Sequence, residues 1–278
     1  MSILIADSGS TKTDWVLLNN GQVNACAQTQ GINPFHQSEE VIAAILRDEL
    51  LPQISVSAPD VYFYGSGVRP EFESVMCRLL YDIFPESDHI EAHGDLLGAA
   101  IAVCGREAGL AAILGTGANS CLYDGACIVK NTPPLGYILG DEGSGAVLGI
   151  RFLNALLKGR LSESLRTTFF EKIQMTEGEI ISRVYRQPMA NRWLASLSSF
   201  IRQHLDEPSV RDIVVNNFRD FFRRNLVPYG RPDLPVGAVG SVAWYYRNEL
   251  AEAARQEGFA LGRIERSPMD GLIHYYSA

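Results

Sequence analysis

The stretch ILIADSGSTKTDWVLLNNG, residues 3–21, decides the fold. Its first four residues, Ile3 to Ala6, are apolar and predict a short buried strand that ends at Asp7 and a turn of small residues. Residues 13–18 predict a second strand, and Asn19-Asn20-Gly21 is typical of a tight hairpin turn that leads to a third. The predicted order is therefore strand, small-residue turn, strand, tight turn, strand.

The same order begins again about 107 residues later, in the stretch LAAILGTGANSCLYDGACIV, residues 110–129. Here the first turn is Gly115-Thr116-Gly117, Asp124-Gly125 is the hairpin turn, and the third strand is expected at 126–129. Two unrelated hairpins would give a similar pattern, since hairpins are common. Both first turns, however, combine Gly with Ser or Thr, a composition suited to holding a phosphate, and this favours an internal repeat.

The rest of the chain alternates short apolar runs with helical patterns and predicts an α/β fold. Residues 61–64 predict a buried strand, and a helix that begins at Pro70 follows. From Gly143 to about Arg224 the chain is mainly helical, in segments that include one continuous helix over 193–205. A last strand is expected at residues 236–239, before a helix that runs to about Glu257.

The domain boundary is predicted near residues 104–109. We expect an N-terminal domain over 1–106 and a C-terminal domain over 107–278, which contains the helical segments and whose last segment packs back on the first domain. No Pro-rich or low-complexity linker separates them, so the boundary is a hinge between packed domains rather than a flexible tether.

Composition excludes several classes of protein. The 278 residues are 46% hydrophobic and 20% charged, as in folded globular proteins, and the net charge of −8 argues against a nucleic-acid partner. No apolar run approaches the roughly 20 residues of a membrane span, and the first residues lack a basic segment typical of a signal peptide. We therefore expect a cytoplasmic protein without a membrane partner.

The five cysteines are widely spread and form no Cys-x-x-Cys pair, and the five histidines do not cluster. A zinc cage or a disulfide framework needs closer, paired spacing. We therefore expect reduced, mostly buried cysteines and no metal held by cysteine or histidine.

Three small-residue turns follow predicted strands, at residues 7–13, 115–119 and 237–241. Glycines allow the backbone to approach a phosphate closely, and the nearby amides and hydroxyls supply hydrogen-bond donors. The Walker loop is absent, because no Gly-Lys dipeptide occurs, and so is a Rossmann fingerprint after the first strand. One such turn would be a plain hairpin; three in this order indicate a nucleotide site.

These motifs resemble those of the superfamily of sugar kinases, actin and heat-shock-protein ATPases. Within it the chain is most similar to N-acetylglucosamine kinases and the wider BadF/BadG/BcrA/BcrD ATPase family. The resemblance implies two ribonuclease-H-like domains that face an ATP cleft. It covers nearly the whole chain and rests on Asp7-x-Gly9-x-Thr11-Lys12-Thr13, Gly31-x-Asn33, Gly94-Asp95, Gly115-Thr116-Gly117-x-Asn119, Gly140-Asp141-Glu142-Gly143-Ser144-Gly145 and Gly240-Ser241-Val242.

The resemblance implies ATP and Mg²⁺ as cofactors. Asp7 would hold the metal through water, as a carboxylate at a strand end can, although Asp is also a common turn residue. The expected ATP-binding residues lie in the three small-residue turns: Gly9, Ser10, Thr11, Lys12, Thr116, Gly117, Gly240 and Ser241.

The resemblance also assigns a general base and a sugar site. Asp95 would take the proton from the sugar hydroxyl, although an Asp at the start of a helix is also explained by capping. Glu142 would orient the site or only begin a helix. The expected substrate-binding residues are Asn33, Phe35 as an apolar wall, Asp95, Asn119 and Asp141.

We therefore expect an ATP-dependent kinase that converts a small amino sugar, N-acetylglucosamine, to its 6-phosphate. The oligomeric state stays open, and a homodimer is one alternative. The alternatives are an ATPase that activates an acyl-CoA dehydratase, and a non-catalytic regulator that binds ATP or sugar. Three departures from the relatives bear on this: Ser8 stands where they usually have Gly, the loop 133–137 is less glycine-rich, and Asp270-Gly271-Leu272 replaces a second small-residue turn.

Overall fold

The computed structural model describes residues 2–9 and 11–277, and the chain divides into two compact units. Unit 1 contains the chain up to Glu107, the hairpin tip Gly125–Cys127 and the C-terminal segment from Ser267. Unit 2 contains Ala108–Asp124 and Ile128–Arg266. The domain division that the sequence predicts at residues 106 and 107 stays a prediction.

Two five-stranded sheets, one in each unit, carry the architecture. The strands of the described residues are β1 (Ser2–Ser8), β2 (Lys12–Asn19), β3 (Gln22–Gln30), β4 (Asp60–Gly65), β5 (Ile90–Gly94), β6 (Gly109–Leu114), β7 (Ala118–Tyr123), β8 (Ile128–Asn131), β9 (Val236–Val239) and β10 (Leu261–Glu265).

The two sheets have the same topology. In unit 1 the order is β3-β2-β1-β4-β5, with β1, β2 and β3 antiparallel and β4 and β5 parallel to β1. In unit 2 the order is β10-β9-β6-β7-β8, with β6, β7 and β8 antiparallel and β9 and β10 parallel to β6. The predicted α/β fold of two ribonuclease-H-like domains, and the internal repeat, are therefore confirmed.

Helices cover the sheets and form the predicted helical part of unit 2. They are α1 (Glu39–Ala44), α2 (Pro70–Ile83), α3 (Asp95–Cys104), α4 (Gly136–Leu139), α5 (Gly145–Leu157), α6 (Glu163–Ile173), α7 (Glu177–Tyr185), α8 (Ala190–Ser196), α9 (Ser198–Gln203), α10 (Pro208–Phe221), α11 (Ser241–Tyr245), α12 (Arg247–Gln256) and α13 (Met269–Ser277). Two of them continue as wider π-helical turns, α1 into Ile45–Leu50 and α10 into Phe222–Leu226.

Several element predictions are wrong in detail. The strand expected at 126–129 begins only at Ile128, because the hairpin tip before it makes a longer turn. The single helix expected over 193–205 is two helices, α8 and α9, which meet at Leu197. The short helix α4, the edge strand β10 and the last helix α13 were not predicted.

The helix α13 packs on α3 within unit 1 at very short range. A side chain at Gly271 would place its β-carbon 2.3 Å from the carbonyl oxygen of Ala102. Only glycine allows this approach, so Asp270-Gly271-Leu272 is a packing segment of a helix and not the small-residue turn that relatives carry there.

None of the helices in residues 2–9 and 11–277 is long and apolar enough to cross a membrane.

The expectation that the cysteines are mostly buried is wrong. Cys121 is buried, Cys77 and Cys104 are half-buried, and Cys26 and Cys127 are exposed, since the last two lie on β3 and on a hairpin tip.

Candidate active site

Two carboxylates meet at one edge of the sheet in unit 1. Asp7 lies at the C-terminal end of β1, in register with Tyr64 of β4, and Asp95 follows β5 as the first residue of α3. Because β1, β4 and β5 are parallel, their C-terminal ends lie together, and this is where α/β sheets bind ligands. The N-cap of α3 is Gly94, so Asp95 is not the capping residue itself.

The charges at this edge disturb one another. Burial, and then the neighbouring carboxylates of Asp95 and Asp14, raise the pKa of Asp7 to about 7. Burial also raises the pKa of Asp95, although the backbone N–H groups of Leu96 and of Asp95 itself donate to its carboxylate and oppose the shift. Titratable groups with shifted pKa values that cluster at a strand end are typical of a functional site.

The first turn is closed by a hydrogen bond from Gly9 N to the carbonyl oxygen of Lys12, 3.0 Å long. Thr11 and Lys12 are exposed, as phosphate ligands must be. The ammonium group of Lys12 forms an ion pair with Asp14, 2.6 Å from Oδ2. Ser10, which is expected to bind phosphate, lies outside the described residues.

The segment after β3 carries two of the three predicted sugar contacts of unit 1, Asn33 and Phe35. Asn33 Oδ1 accepts a hydrogen bond from the backbone N–H of Phe35, 3.0 Å long, which orients the carboxamide. The ring of Phe35 is 47% exposed, and the guanidinium of Arg69 lies 4.1 Å from its centroid. The predicted apolar wall is therefore an aromatic ring with a cation over one face.

In unit 2 the second turn is joined to the start of α5. Gly145 N donates to the carbonyl oxygen of Gly115 (2.8 Å), and Ala146 N donates to that of Thr116 (3.2 Å). Thr116 is exposed and Gly117 is half-buried. The first N–H groups of the helix thus bind the carbonyl oxygens of the turn. The Thr116 side chain remains accessible to a ligand.

Asp141 lies against this turn in a left-handed conformation, with φ of 53°. A β-carbon at Gly117 would lie 3.1 Å from its Oδ2, which shows how closely the carboxylate approaches the turn. Burial raises the pKa of Asp141, an N–H from Ala118 opposes the shift, and the charge of Glu142 adds to it. Such backbone strain is found at functional sites.

Asn119 and Glu142 have partners that hold them in place. Asn119 Oδ1 accepts hydrogen bonds from Ser120 N and from Asn131 Nδ2, both 2.9 Å long. Glu142 forms an ion pair with Arg224 at 3.1 Å. Glu142 therefore does more than begin a helix: it fixes the loop next to Asp141.

The third turn adjoins a cavity that the sequence did not indicate. Gly240 has φ of 117°, and a β-carbon there would lie 2.3 Å from the carbonyl oxygen of Leu114, so only glycine fits. Ser241 is exposed and lines a cavity of about 540 Å³. The other lining residues belong to α9, to α11 and to its immediate neighbours: Ser198, Ser199, Arg202, Gln203, Val242, Tyr245 and Tyr246.

Comparison with known proteins shows the family. A crystal structure from Porphyromonas gingivalis, of a protein assigned as an N-acetylglucosamine kinase, is 50% identical to the chain, covers 99% of it and 98% of that protein, and has a TM-score of 0.93. The chain belongs to the N-acetylglucosamine kinase-like family of actin-like ATPases. No protein-family model matches it.

Two more distant proteins are also similar to the chain, one in fold and one in sequence. A Chromobacterium violaceum protein, also assigned as an N-acetylglucosamine kinase, shares the fold with 18% identity, a TM-score of 0.73 and coverage of 99% of this chain and 98% of its own. The N-acetyl-D-glucosamine kinase of Dictyostelium discoideum is 24% identical over 208 residues, which are 67% of this chain. The match spans 65% of that enzyme, just under two thirds.

The structure thus gathers the predicted residues of this family member in two groups. In unit 1, Asp7 and Asp95 lie close enough for their charges to interact, and Asn33 and Phe35 share one loop. In unit 2, Asp141 lies against Gly117. The sequence missed Arg202 and Tyr245, because no motif marks a cavity between helices that are about 40 residues apart along the chain.

Proposed function

We propose that the protein is an ATP-dependent kinase that transfers a phosphoryl group to the primary hydroxyl of N-acetylglucosamine and forms the 6-phosphate. The observation that carries the proposal is the pair of interacting carboxylates, Asp7 and Asp95, which lie at the C-terminal ends of β1 and β5 on either side of β4 in the sheet of unit 1. Phosphoryl transfer needs one carboxylate near the metal and phosphates and another near the attacking hydroxyl, and this pair supplies both.

Asp95 is the general base in this proposal. The backbone N–H groups at the start of α3 hold its carboxylate, and burial raises its pKa, which makes it a stronger base than an exposed aspartate. It accepts the proton of the sugar hydroxyl as that oxygen attacks the γ-phosphorus. Asn33, Asn119 and Asp141 stay the predicted hydrogen-bonding groups for the sugar.

The phosphates are assigned to the small-residue turns. The predicted phosphate-binding residues are Gly9, Thr11, Lys12, Thr116, Gly117, Gly240 and Ser241. Lys12 must exchange its ion pair with Asp14 for a phosphate, which an exposed lysine does at little cost because surface ion pairs contribute only about 0–1 kcal/mol.

The residues fit a magnesium ion held through water. Within residues 2–9 and 11–277 no three His, Cys, Asp or Glu side chains are grouped to bind a metal directly. Asp7, however, bears a carboxylate whose pKa is raised by burial and by two other carboxylates, and a cation would relieve this repulsion. Mg²⁺ usually keeps several waters and uses one or two carboxylates with substrate phosphates, and it would neutralise charge on those phosphates.

The cavity beside Ser241 is proposed to hold the nucleoside of ATP. The ring of Tyr245 lies 4.6 Å from the guanidinium of Arg202, so the cavity is lined by both an aromatic face and a cation. Tyr245→Ala is expected to raise KM for ATP about tenfold and to leave KM for the sugar within twofold, because base stacking on an aromatic ring is worth about 1–3 kcal/mol. Arg247→Ala, which removes a comparable contact with Trp244 outside the cavity, should change neither constant.

The activator alternative requires cysteines that share an iron–sulfur cluster between subunits. Cys104 is half-buried, and burial raises the pKa of its thiol to about 11, so its deprotonation on binding a cluster would cost additional free energy. Cys121 is buried inside unit 2. Neither residue favours this function.

The proposal is tested by ADP release with MgATP and a panel of sugars: N-acetylglucosamine, glucosamine, N-acetylmannosamine and glucose. We expect the highest kcat/KM for N-acetylglucosamine. ADP release that no sugar stimulates would contradict the proposal and favour the ATPase alternative, and no release at all would favour the non-catalytic regulator.

A further inference from the structure

Ser8, which follows Asp7 at the end of β1, is completely buried and has an unusual set of hydrogen bonds. Its hydroxyl lies 2.9 Å from the carbonyl oxygen of Ile32 and 3.0 Å from the backbone nitrogen of the same residue. It also lies 2.7 Å from the hydroxyl of Thr13 on β2. One side chain thus joins three segments of unit 1.

Ser8 accepts a hydrogen bond from the Ile32 N–H and donates its own proton to the Ile32 carbonyl. The Thr13 hydroxyl then has one proton for two acceptors, Ser8 Oγ at 2.7 Å and the carbonyl oxygen of Gln30 at 3.1 Å. Ile32 is also completely buried, so Ser8 satisfies both backbone polar groups of a residue that water does not reach. A buried polar group that loses its partner is not hydrated again by water, so this contact holds the segment firmly.

The segment held in this way precedes the proposed sugar ligand Asn33. A second bond, from Gly31 N to the carbonyl oxygen of Thr11 (3.1 Å), joins the same segment to the phosphate turn. We propose that Ser8 is a positioning residue, which sets Asn33 relative to the first phosphate turn and thereby determines sugar affinity. This inference rests on the proposed function.

The test compares Ser8→Ala with Thr29→Val. Thr29 is buried in the same sheet, and its hydroxyl accepts a hydrogen bond from Trp15 Nε1 (3.1 Å), so both variants lose a buried hydroxyl. In Ser8→Ala we expect Kd and KM for N-acetylglucosamine to rise about tenfold and Kd for MgATP to stay within twofold. Thr29→Val should lower Tm comparably without a change in sugar affinity. If Ser8→Ala does not fold, Ser8→Cys should show a smaller shift in the same direction.

Hydrogen exchange without ligands separates this inference from the proposed function. Exchange at residues 31–36 should increase in Ser8→Ala and not in Thr29→Val, if Ser8 holds the segment. A wild-type protein inert toward every sugar would contradict the function, and exchange alone would then decide the role of Ser8. Equal sugar affinity, or equal exchange at 31–36, in Ser8→Ala and Thr29→Val would overturn the inference.

Discussion

Asp95→Asn is expected to lower kcat about 10²–10⁴-fold and to leave the binding of sugar and MgATP within a few-fold of wild type. The carboxamide has nearly the same shape and still forms hydrogen bonds with a hydroxyl, but it cannot accept the proton. Burial raises the pKa of Asp95, so the neutral side chain removes a poorly solvated charge from unit 1. Tm should therefore be unchanged or slightly higher.

Steady-state kinetics, calorimetric binding and thermal melting together check this expectation. Because the pKa of Asp95 is raised, the acid limb of kcat/KM in the wild type should lie at higher pH than that of an ordinary aspartate. Asp270→Asn, an exposed acidic residue at the start of α13, is the matched control and should leave kcat unchanged. Near-normal turnover of Asp95→Asn would show that Asp95 only supports the start of α3.

Asp7→Asn is expected to combine a large loss of activity with a gain in stability. We expect kcat/KM for MgATP to fall at least a hundredfold, because the carboxylate that would bind the hydrated metal is lost. In the ligand-free protein the same change removes a buried charge that faces Asp95 and Asp14. The free energy of unfolding at pH 8 should therefore rise by about 4 kcal/mol, because each unit of the pKa shift from 3.8 to about 7 is worth about 1.4 kcal/mol.

The pH dependence of this gain has a definite sign. The pKa of Asp7 is about 7 in the folded state, above its ordinary value of 3.8, so the folded protein binds the proton more tightly than the unfolded chain. Wild-type stability should consequently decrease relative to Asp7→Asn as the pH rises from about 4 to 7, and the two should agree near pH 4. Melting curves from pH 4 to 8 measure this difference.

The control for Asp7→Asn is Asp60→Asn, at the opposite end of the neighbouring strand β4. Asp60→Asn should change neither the stability of the protein between pH 4 and 8 nor its use of MgATP. Equal melting temperatures of wild type and Asp7→Asn at pH 8 would show that the carboxylates at this edge do not repel one another in the ligand-free protein.

The fold could largely be predicted from local patterns. In residues 3–21 and 110–129 the apolar runs, small-residue turns and hairpin signals all indicate the same order of strands, and the sheets confirm it. The last 18 residues gave no comparable signal. β10 is an edge strand of mixed polarity, and α13 contains Gly271, whose contact with α3 depends on tertiary packing.

The candidate site was predictable where a motif marks it and not where distant segments meet. Asp7, Asp95 and Asp141 lie in recognisable strings, but the left-handed backbone of Asp141 and the effect of Asp95 on the pKa of Asp7 follow only from the folded chain. From the sequence alone, Ser8 is only a departure from the glycine that is usual in the resembling family. Its role as a hydrogen-bond partner of Ile32 requires two segments 24 residues apart to be in contact.

The most direct test of the account is phosphorus NMR of the product formed from N-acetylglucosamine and MgATP. The account predicts a phosphate monoester coupled to the two protons on C6, formed in equal amount to ADP by the wild type and at a rate 10²–10⁴-fold lower by Asp95→Asn. Inorganic phosphate alone, or an ester on another carbon of the sugar, would contradict it.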